Sequence, residues 1–390
     1  MKLLTILLKD FSLVYGGVKL YFGLKSIKKL REYVGDYEEV VIAAGKSSAK
    51  VSGALNDVIS VLKKYEVNYE VFDKITPNPW AKQADELAEV VWSCGADAVI
   101  AIGGGSVIDT AKVSSVIAAS GGKAVDYLLR KKKPRYMIPL IAINLTHGTG
   151  TEVDRYAVLT IEETLEKRGI SIRYPNVSFD NPKYLVTLPK NQTVYTSLDA
   201  FYHAYEAVTA KTLSSPFIEL ISLEPIKLIK TWLPKALRNP YNLRARYWLQ
   251  YASMLAGIAI DASSTHIVHA IEHALSGLNP KLPHGCGLGI IGARSAYYIH
   301  KTKPRESALL LKKLNPKIKP NAEYANEAEK TVREFQREFG FEESLSNYGF
   351  TEKDVDTVVK LLFNGLRYLW DESPLELTAN IVRDILEKSF

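Results

Sequence analysis

The sequence predicts an α/β N-terminal half built on a parallel sheet, followed by an all-helical C-terminal half. Over the first half, short apolar runs alternate with amphipathic stretches, which is the pattern of βαβ units. From about residue 190, long helical patterns take over and no clear strand follows. A chain of 390 residues is long enough for two domains. We therefore predict one domain over residues 1–188 and a second over residues 189–390.

The elements of the first half are predicted from hydrophobic periodicity. Apolar runs predict four strands, Val40–Ala44, Tyr69–Phe72, Ala98–Ile102 and Met137–Ile143, and helical spacing predicts two helices, Ala54–Tyr65 and Ala81–Cys94. Three more extended pieces are expected to complete the sheet: Tyr156–Ile161, Ile170–Tyr174 and, between two prolines, Tyr184–Thr187.

The second half is expected to be helical throughout. Its clearest helical patterns are Ile218–Leu233, Ala245–Ile260, Val355–Trp370 and Leu377–Lys388. Residues 304–330, rich in Lys, Pro and Asn, are predicted to form a surface excursion between helices.

Composition limits the class of protein. Apolar residues make up 47% and charged residues 24%, the mix of an ordinary globular chain. Two cysteines, Cys94 and Cys286, cannot build a disulfide framework. No stretch approaches the ~20 apolar residues of a membrane span, and Met1–Asp10 lacks the pattern of a signal peptide. We expect a cytoplasmic protein with no membrane partner.

The net charge of +7 bears on possible partners. Its densest contribution is the basic run Arg130–Arg135. A solvated loop is the favoured interpretation of this run, and a patch for nucleic acid or phosphate is the alternative. We therefore expect no nucleic-acid partner.

A glycine turn after the third predicted strand is the strongest single motif. Gly103–Gly105 follow Ala98–Ile102 and let the backbone turn sharply and approach a ligand. Ser106 with Asp109 predicts a capping box at the start of the next helix. Free N–H groups at that helix start would bind an anionic phosphate. An ordinary glycine-rich turn is the competing interpretation, since Ile108 stands where the common dinucleotide fingerprint has its third glycine.

Three other turns are predicted at the same edge of the sheet, where ligands of parallel sheets bind. The turn Gly45–Gly53 contains lysines and serines but no acid, so a bound dinucleotide would be the 2′-phosphorylated form; a solvated loop is the alternative. The turns Thr76–Pro79 and Thr146–Glu152 offer an amide and hydroxyls. The candidate cofactor-binding residues are Gly45, Lys46, Ser48, Lys50, Asn78, Gly104, Gly105, Ser106, Asp109, Thr146 and Thr149.

Histidines cluster in the second half of the chain. His266, His269 and His273 share one helical face, and His284 follows a turn that contains proline. Asp199 and His203 lie at i and i+4 on another helix. A lone buried histidine is usually a structural one, but a carboxylate with several imidazoles is the ligand set of a divalent transition metal. Spacing alone leaves open which histidines bind.

At this point the motifs match a known family. The chain resembles the iron-containing (group III) alcohol dehydrogenases, which share the dehydroquinate synthase-like fold. The resemblance rests on five motifs in chain order: Pro77–Pro79 (PNP), Gly103–Lys112 (GGGSxxDxAK), Gly148–Glu152 (GTGSE), Asp199 to Glu206 (DxxxHxxE), and His269 to Gly285 (HxxxH…PHG).

The resemblance implies a dinucleotide-binding N-terminal domain, an all-helical C-terminal domain and a metal in the cleft between them. By motif, the metal ligands would be Asp199, His203, His269 and His284, and His273 would relay a proton near the nicotinamide. The metal would be Fe²⁺, with Zn²⁺ or Ni²⁺ as alternatives. His266 lies outside the motif and would be a structural or supporting histidine. The family also implies a homodimer.

Three positions depart from the family pattern. Gly45 stands where members that use NAD carry an Asp, and the following Ser48 and Lys50 resemble the branch that prefers the phosphorylated cofactor. Ser197 replaces a glycine before the metal Asp, and His147 occupies a position that is usually small. We expect NADP(H) to be preferred, with NAD as the alternative cofactor.

The expected function is an alcohol dehydrogenase or aldehyde reductase that acts on a small alcohol or aldehyde. A polyol dehydrogenase or a dehydroquinate-synthase-like lyase of the same fold, using NAD, is the nearest alternative. A basic nucleic-acid-binding protein is the alternative from another class.

Overall fold

Nine strands lie within residues 8–390, the part of the chain that the computed structural model describes. Seven of the first ten residues, on which the absence of a signal peptide was predicted, lie outside this range. The strands are β1 (Phe11–Tyr15), β2 (Val18–Phe22), β3 (Glu39–Gly45), β4 (Asn68–Ile75), β5 (Ala98–Gly103), β6 (Leu140–Asn144), β7 (Tyr156–Thr160), β8 (Lys167–Ser171) and β9 (Val177–Asp180).

The main sheet has seven strands in the order β1-β2-β9-β6-β5-β3-β4. All neighbours pair in parallel except β1 and β2, which form an antiparallel pair at one edge. The four strands predicted from apolar runs are confirmed as β3, β4, β5 and β6, although β6 begins only at Leu140. The side on which successive strands are added reverses between β3 and β5, since β4 lies on one side of β3 whereas β5 and then β6 lie on the other. Ligands bind at such switch points.

The prediction that Tyr156–Ile161 and Ile170–Tyr174 complete the main sheet is wrong. Strands β7 and β8 instead pair with each other as a separate antiparallel sheet, with Tyr156 opposite Ser171. The physical reason is the short connection between them, because a parallel crossover needs a dozen or more residues whereas an antiparallel hairpin does not.

Other strands were missed or misassigned. Tyr184–Thr187 is not extended: a 3₁₀-helix spans Pro182–Leu185, where Pro182 suits a first helical turn and the Asn181 side chain accepts from the Lys183 N–H. β9 was not predicted because it is short and half polar, yet Ser178 and Asp180 are both buried. The edge strands β1 and β2 were not predicted either.

Fifteen α-helices lie within residues 8–390. They are α1 (Arg31–Val34), α2 (Ser48–Val51), α3 (Ala54–Lys64), α4 (Ala81–Ser93), α5 (Gly105–Ser120), α6 (Ala124–Leu128), α7 (Lys190–Thr209), α8 (Pro216–Arg238), α9 (Leu243–Ala262), α10 (Ile267–Leu278), α11 (His284–Thr302), α12 (Pro304–Leu311), α13 (Ala325–Arg337), α14 (Val355–Gly365) and α15 (Ala379–Glu387).

The helical predictions hold with two corrections. The pattern Val355–Trp370 is interrupted after Gly365, and a 3₁₀-helix covers Arg367–Trp370. Residues 304–330 are not only a surface excursion, because α12 begins there with Pro304 at its first position and buries Leu310 and Leu311. Among residues 8–390, no strand follows β9, as predicted.

The two halves pack against each other where β2 shares an apolar cluster with α9 and where β8 lies against α10. The apolar core of the helices is one continuous cluster, whereas the sheet has a separate core on each face. We propose a division into two domains, residues 1–188 and 189–390. The start of α7 at Lys190 supports this boundary. No single helix of residues 8–390 is long and apolar enough to cross a membrane; only α9 and α10 taken together pass that test, and they meet at a bend of 102°.

Candidate active site

The site begins where β3 and β5 end side by side. Ala44 pairs with Ile102, so the turns that start at Gly45 and Gly103 are neighbours at the switch point of the sheet. The two predicted cofactor turns are therefore brought together by the topology.

The glycine turn after β5 packs directly on the turn after β6. A Cβ on Gly104 would lie 2.6 Å from the Thr146 side chain, and one on Gly105 would lie 2.6 Å from that of Thr149. Only glycine allows this approach. Helix α5 starts at Gly105, and its first backbone N–H groups face a cavity lined by Gly105, Ser106 and Thr149. The arrangement has the features of an anion site at a helix N-terminus.

The predicted capping box of Ser106 and Asp109 is wrong. Gly104 occupies the N-cap, and no side chain caps the helix. Asp109 is instead used elsewhere: its Oδ1 accepts from the Thr151 hydroxyl at 2.5 Å, and its Oδ2 accepts from the Val158 N–H at 2.9 Å. The hydrogen bond between Asp109 and strand β7 therefore takes the place of the capping hydrogen bond expected at the start of α5.

The turn after β3 is solvent-exposed. Lys46, Ser48 and Lys50 are exposed on the short helix α2 and the residues before it. Lys50 Nζ lies 3.1 Å from Oδ2 of Asp73, which is carried by the neighbouring strand β4. An acid thus stands beside this turn, although none occurs within it.

Four candidate metal ligands converge in the helical half. Asp199 and His203 lie on α7, His269 on α10, and His284 at the start of α11. Asp199 Oδ1 lies 3.5 Å from His203 Nε2, 3.6 Å from His269 Nε2 and 3.7 Å from His284 Nε2. Asp199 Oδ1 and His269 Nε2 are buried without a hydrogen-bond partner among the described residues.

These distances fit one divalent cation. Ligands about 2.1 Å from a tetrahedral metal are separated from one another by about 3.4 Å. The three spacings measured from Asp199 are close to that value. Asp199, His203 and His269 form the group whose ligand atoms all lie within 4.8 Å of one another, whereas His284 is grouped by the same distance with Glu272 and His273. Buried polar atoms are normally paired, so unpaired donor atoms that face one point call for a group between them. The donor set of one carboxylate and three imidazoles suits a transition metal.

The other nitrogen of each imidazole has its own acceptor. His203 Nδ1 donates to the Gly148 carbonyl at 3.2 Å, His269 Nδ1 donates to Glu206 Oε2 at 2.5 Å, and His284 Nδ1 lies against Glu272 Oε2. Each contact leaves the Nε2 lone pair directed at Asp199, which is how metal-binding histidines are oriented.

The charges of this cluster favour a cation. Burial would raise the pKa of Asp199, but the neighbouring His203, His269 and His284 lower it to about 2. Burial would lower the pKa of His269, but Asp199 and Glu206 raise it to about 9. A proton on His269 or a metal ion would therefore compensate the same buried negative charge.

A second cluster of acid and imidazole groups adjoins the first, formed by Glu272, His273 and His284. One oxygen of its carboxylate is already engaged, because Glu272 Oε2 contacts His284 and lies 3.3 Å from Lys167 Nζ, while Glu272 Oε1 is buried without a partner among the described residues. We therefore favour the cluster around Asp199 as the metal site.

Lys167 is the main residue of the site that sequence reasoning missed. It lies on β8, is buried, and its Nζ lies 3.0 Å from Asn78 Oδ1 and 2.9 Å from Ser276 Oγ. No local signal marks it, because its importance depends on how the β7–β8 hairpin lies against α10.

The three remaining predicted residues, His273, His266 and Asn78, lie around the Asp199 cluster and the cavity. His273 is buried beside the cavity, and its Nδ1 donates to the Lys167 carbonyl at 3.1 Å. His266 lies outside the Asp199 cluster and contacts Glu206 Oε1 at 3.1 Å. Asn78 lines the cavity, but its amide donates to the carbonyls of Pro280 and Leu282 and so ties together two loops.

One cavity of about 450 Å³ joins these parts. It extends from the glycine turn at Gly105 to the histidine cluster, and apolar groups such as Val158, Ile260 and Leu369 form part of its wall. The basic run Arg130–Arg135 is a loop whose charged side chains are largely exposed, as predicted, and only Arg130 of this run reaches the cavity.

Comparisons with known proteins agree with this arrangement. A family model described as iron-containing alcohol dehydrogenase matches residues 17–182, and the C-terminal model of the Fe-containing alcohol dehydrogenase family matches residues 193–390. A long-chain primary alcohol dehydrogenase of Thermoanaerobacter ethanolicus is 39% identical over 380 residues, which is 95% of each chain. An NADPH-dependent butanol dehydrogenase of Clostridium saccharobutylicum is 28% identical over 358 residues, 88% of each chain.

The fold agrees as well. The crystal structure of an NADH-dependent butanol dehydrogenase from Thermotoga maritima matches with a TM-score of 0.87 at 27% identity, covering 98% of this chain and 99% of that one. These relatives support an oxidoreductase with alcohol dehydrogenase activity. The chain belongs to the iron-containing alcohol dehydrogenase family.

Proposed function

We propose that the protein is a metal-dependent alcohol dehydrogenase or aldehyde reductase that transfers hydride between NADP(H) and an alcohol/aldehyde pair. The observation that carries this proposal is the shared cavity, in which the helix start at Gly105 and the histidines around Asp199 face the same space. A dinucleotide held at one end would present its nicotinamide toward the other.

In this proposal Asp199, His203, His269 and His284 hold one divalent metal, with Fe²⁺ expected and Zn²⁺ or Ni²⁺ as alternatives. When bound, the cation supplies Lewis acidity that lowers the pKa of an alcohol or polarises an aldehyde. Glu206 and Glu272 orient His269 and His284 by accepting from their Nδ1 atoms.

The chain's other residues position the reactants and move a proton. The N–H groups of Gly105 and Ser106 would hold the pyrophosphate. Because His273 Nδ1 donates to the Lys167 carbonyl, its Nε2 carries a free lone pair. We assign to this atom the transfer of the proton to or from the substrate oxygen.

NADP(H) is the preferred cofactor in the proposal because Lys46, Ser48 and Lys50 surround the end of β3 without an acid at Gly45. Asp73 weakens the preference, because its carboxylate pairs with Lys50. The relatives themselves are divided, since one butanol dehydrogenase is named for NADPH and another for NADH.

The substrate class follows from the cavity wall. Val158, Ile260 and Leu369 give apolar surface to the cavity that the histidines also line, so we propose a primary alcohol with an aliphatic chain, or its aldehyde. The name of the Thermoanaerobacter relative supports this choice. We further propose a homodimer located in the cytoplasm.

The test is a panel of alcohols and aldehydes of increasing chain length, assayed with both cofactors, on protein of known metal content. The expected result is net change in reduced-nicotinamide absorbance that depends on bound metal and is faster with NADP(H). A reaction that consumes substrate without net change in the reduced cofactor would overturn the proposal in favour of a lyase of the same fold.

A further inference from the structure

His147 and Ser197, two positions that depart from the family pattern, contact each other. His147 lies in the turn after β6, Ser197 lies on α7, and both are completely buried. His147 Nε2 lies 3.1 Å from Ser197 Oγ. The contact therefore links the turn that faces the cavity to the helix that carries Asp199 and His203.

The direction of this hydrogen bond can be worked out. Ser197 Oγ donates its only hydrogen to the Thr193 carbonyl at 2.8 Å. It must therefore accept from His147, so that His147 Nε2 bears the proton. Burial and the nearby Arg246 lower the pKa of His147 to about 3, which keeps the ring neutral. Its Nδ1 remains a buried lone pair without a partner among the described residues.

The residue after His147 touches the metal cluster from the other side. The Gly148 carbonyl accepts from His203 Nδ1 at 3.2 Å. A Cβ on Gly148 would lie 2.9 Å from Asp199 Oδ2 and 3.0 Å from Thr196 Cβ, so the backbone is pressed against α7. The turn is thus held to α7 at Ser197, before Asp199, and at His203, after it.

We propose that His147 and Ser197 are a positioning pair, which holds the Gly148 carbonyl against His203 and so directs His203 Nε2 toward Asp199. Neither residue lines the cavity. The pair acts on metal affinity. Without it, the Gly148 carbonyl moves away from His203, and the His203 imidazole loses its fixed orientation. Loss of such outer partners commonly lowers metal affinity about 10- to 100-fold.

The experiment measures Zn²⁺ affinity by competition with a coloured chelator, for the full chain and for Ser197→Ala, His147→Ala and the double variant. Ser197→Ala removes only one oxygen and is expected to fold. We expect each single variant to bind Zn²⁺ at least about 10-fold more weakly and the double variant to lose little more, since both substitutions break one contact. The absorption spectrum of bound Co²⁺ should change in the same variants, because the ligand geometry changes.

A matched control is available in the helical half. His300 Nδ1 lies 2.9 Å from Ser307 Oγ, and both residues are completely buried. Ser307→Ala should lower Tm without altering Zn²⁺ affinity. His147→Gln, which retains an N–H donor, should restore part of the affinity that His147→Ala loses.

The inference rests on the proposed metal site, and its failure can be distinguished from the failure of that site. If the unmodified chain binds no stoichiometric Zn²⁺, the metal site itself is wrong. If the unmodified chain binds Zn²⁺ and Ser197→Ala binds it equally well with an unchanged Co²⁺ spectrum, the positioning role is overturned.

Discussion

Asp199 shows how a single buried side chain can specify a ligand. Its Oδ1 faces three imidazole nitrogens and has no hydrogen-bond partner among the described residues. A carboxylate in that position is costly unless a positive charge lies beside it. Because it is the only anionic member of the four, its removal should affect metal binding more than folding.

We therefore expect Asp199→Ala to retain less than about a tenth of the wild-type metal content, because it removes one of four ligands and the only negative charge among them. Metal per chain, measured by elemental analysis after dialysis, checks this. Asp356→Ala changes an exposed carboxylate on α14 and should retain the metal. Full occupancy in Asp199→Ala would show that the ligand set is wrong.

His273 should act on turnover rather than on metal content. Its Nδ1 donates a hydrogen bond to the Lys167 carbonyl, so its Nε2 is free to accept a proton. His273→Ala should keep the metal and lower kcat about 100-fold or more, the range expected for loss of a general acid or base. Steady-state kinetics on protein with measured metal content decide this. Wild-type turnover at every pH would exclude the proton-transfer role.

At the scale of elements, the proposed function assigns different parts of a dinucleotide to the turns after β3 and β5. The turn after β5 would offer backbone N–H groups to the pyrophosphate, which NAD and NADP share. The turn after β3 would meet the ribose, where the two cofactors differ. The ion pair of Lys50 with Asp73 places an acid of β4 beside this second turn.

Substitutions at Asp73 and at Gly45 should therefore change the preference for NADPH over NADH in opposite directions. Asp73→Asn frees Lys50 and removes a negative charge, so the ratio of kcat/KM for NADPH over NADH should rise severalfold. Gly45→Asp should lower the same ratio, because a carboxylate repels the 2′-phosphate.

Because a Cβ on Gly45 would lie 3.3 Å from the Ile75 carbonyl, the fold of Gly45→Asp must be checked by its Tm. Lys64→Ala, on the exposed end of α3, serves as a charge control that should leave the ratio unchanged. An unchanged ratio of kcat/KM in both test variants would show that this turn does not distinguish the 2′-phosphate of NADP(H) from the free hydroxyl of NAD(H).

A strand could be predicted from the sequence where its own residues form an apolar run, and could not where it depends on contacts with other elements. β3, β5 and β6 each contain a run of buried apolar residues, Val40–Ala44, Ala98–Ile102 and Leu140–Ile143, so the sequence alone locates them. β8 has the sequence Lys-Arg-Gly-Ile-Ser and β9 has Val-Ser-Phe-Asp, and both are strands because of their tertiary neighbours.

The same distinction applies to the candidate site. Asp199 and His203 are one helical turn apart, and the motif order around His269 and His284 supplied the other two candidates. Lys167 and Asp73 could not be identified in this way, because each enters the site through the packing of one strand beside another element.

At the scale of the whole molecule, the junction between sheet and helices buries two acids. Glu152 and Asp180 are completely buried, and neither Glu152 oxygen has a hydrogen-bond partner among the described residues. Asp180 Oδ1 accepts from Asn144 on β6 at 3.0 Å and from Gln250 on α9 at 3.1 Å, so this cluster joins the two halves.

Burial raises the pKa of Asp180 to about 7, although Asn144 and Gln250 oppose the shift. Burial, and next the charge of Asp180, raise the pKa of Glu152 well above its usual value. The folded protein therefore keeps protons that the unfolded chain releases above about pH 4. Since the folded state binds more protons, the free energy of unfolding from these groups is highest below about pH 4 and falls as pH rises through about 7.

Glu152→Gln should reduce this pH dependence, because it keeps the shape of the side chain and removes one titrating proton. We expect its urea midpoint to exceed that of the unmodified chain at pH 8 and to approach it at pH 5, with each pKa unit worth about 1.4 kcal/mol. Glu70→Gln, at an exposed site on β4, controls for the change of charge alone. Parallel curves for the unmodified chain and Glu152→Gln between pH 5 and 8 would mean that Glu152 is ionised in the folded protein, with a cation or ordered water at the junction.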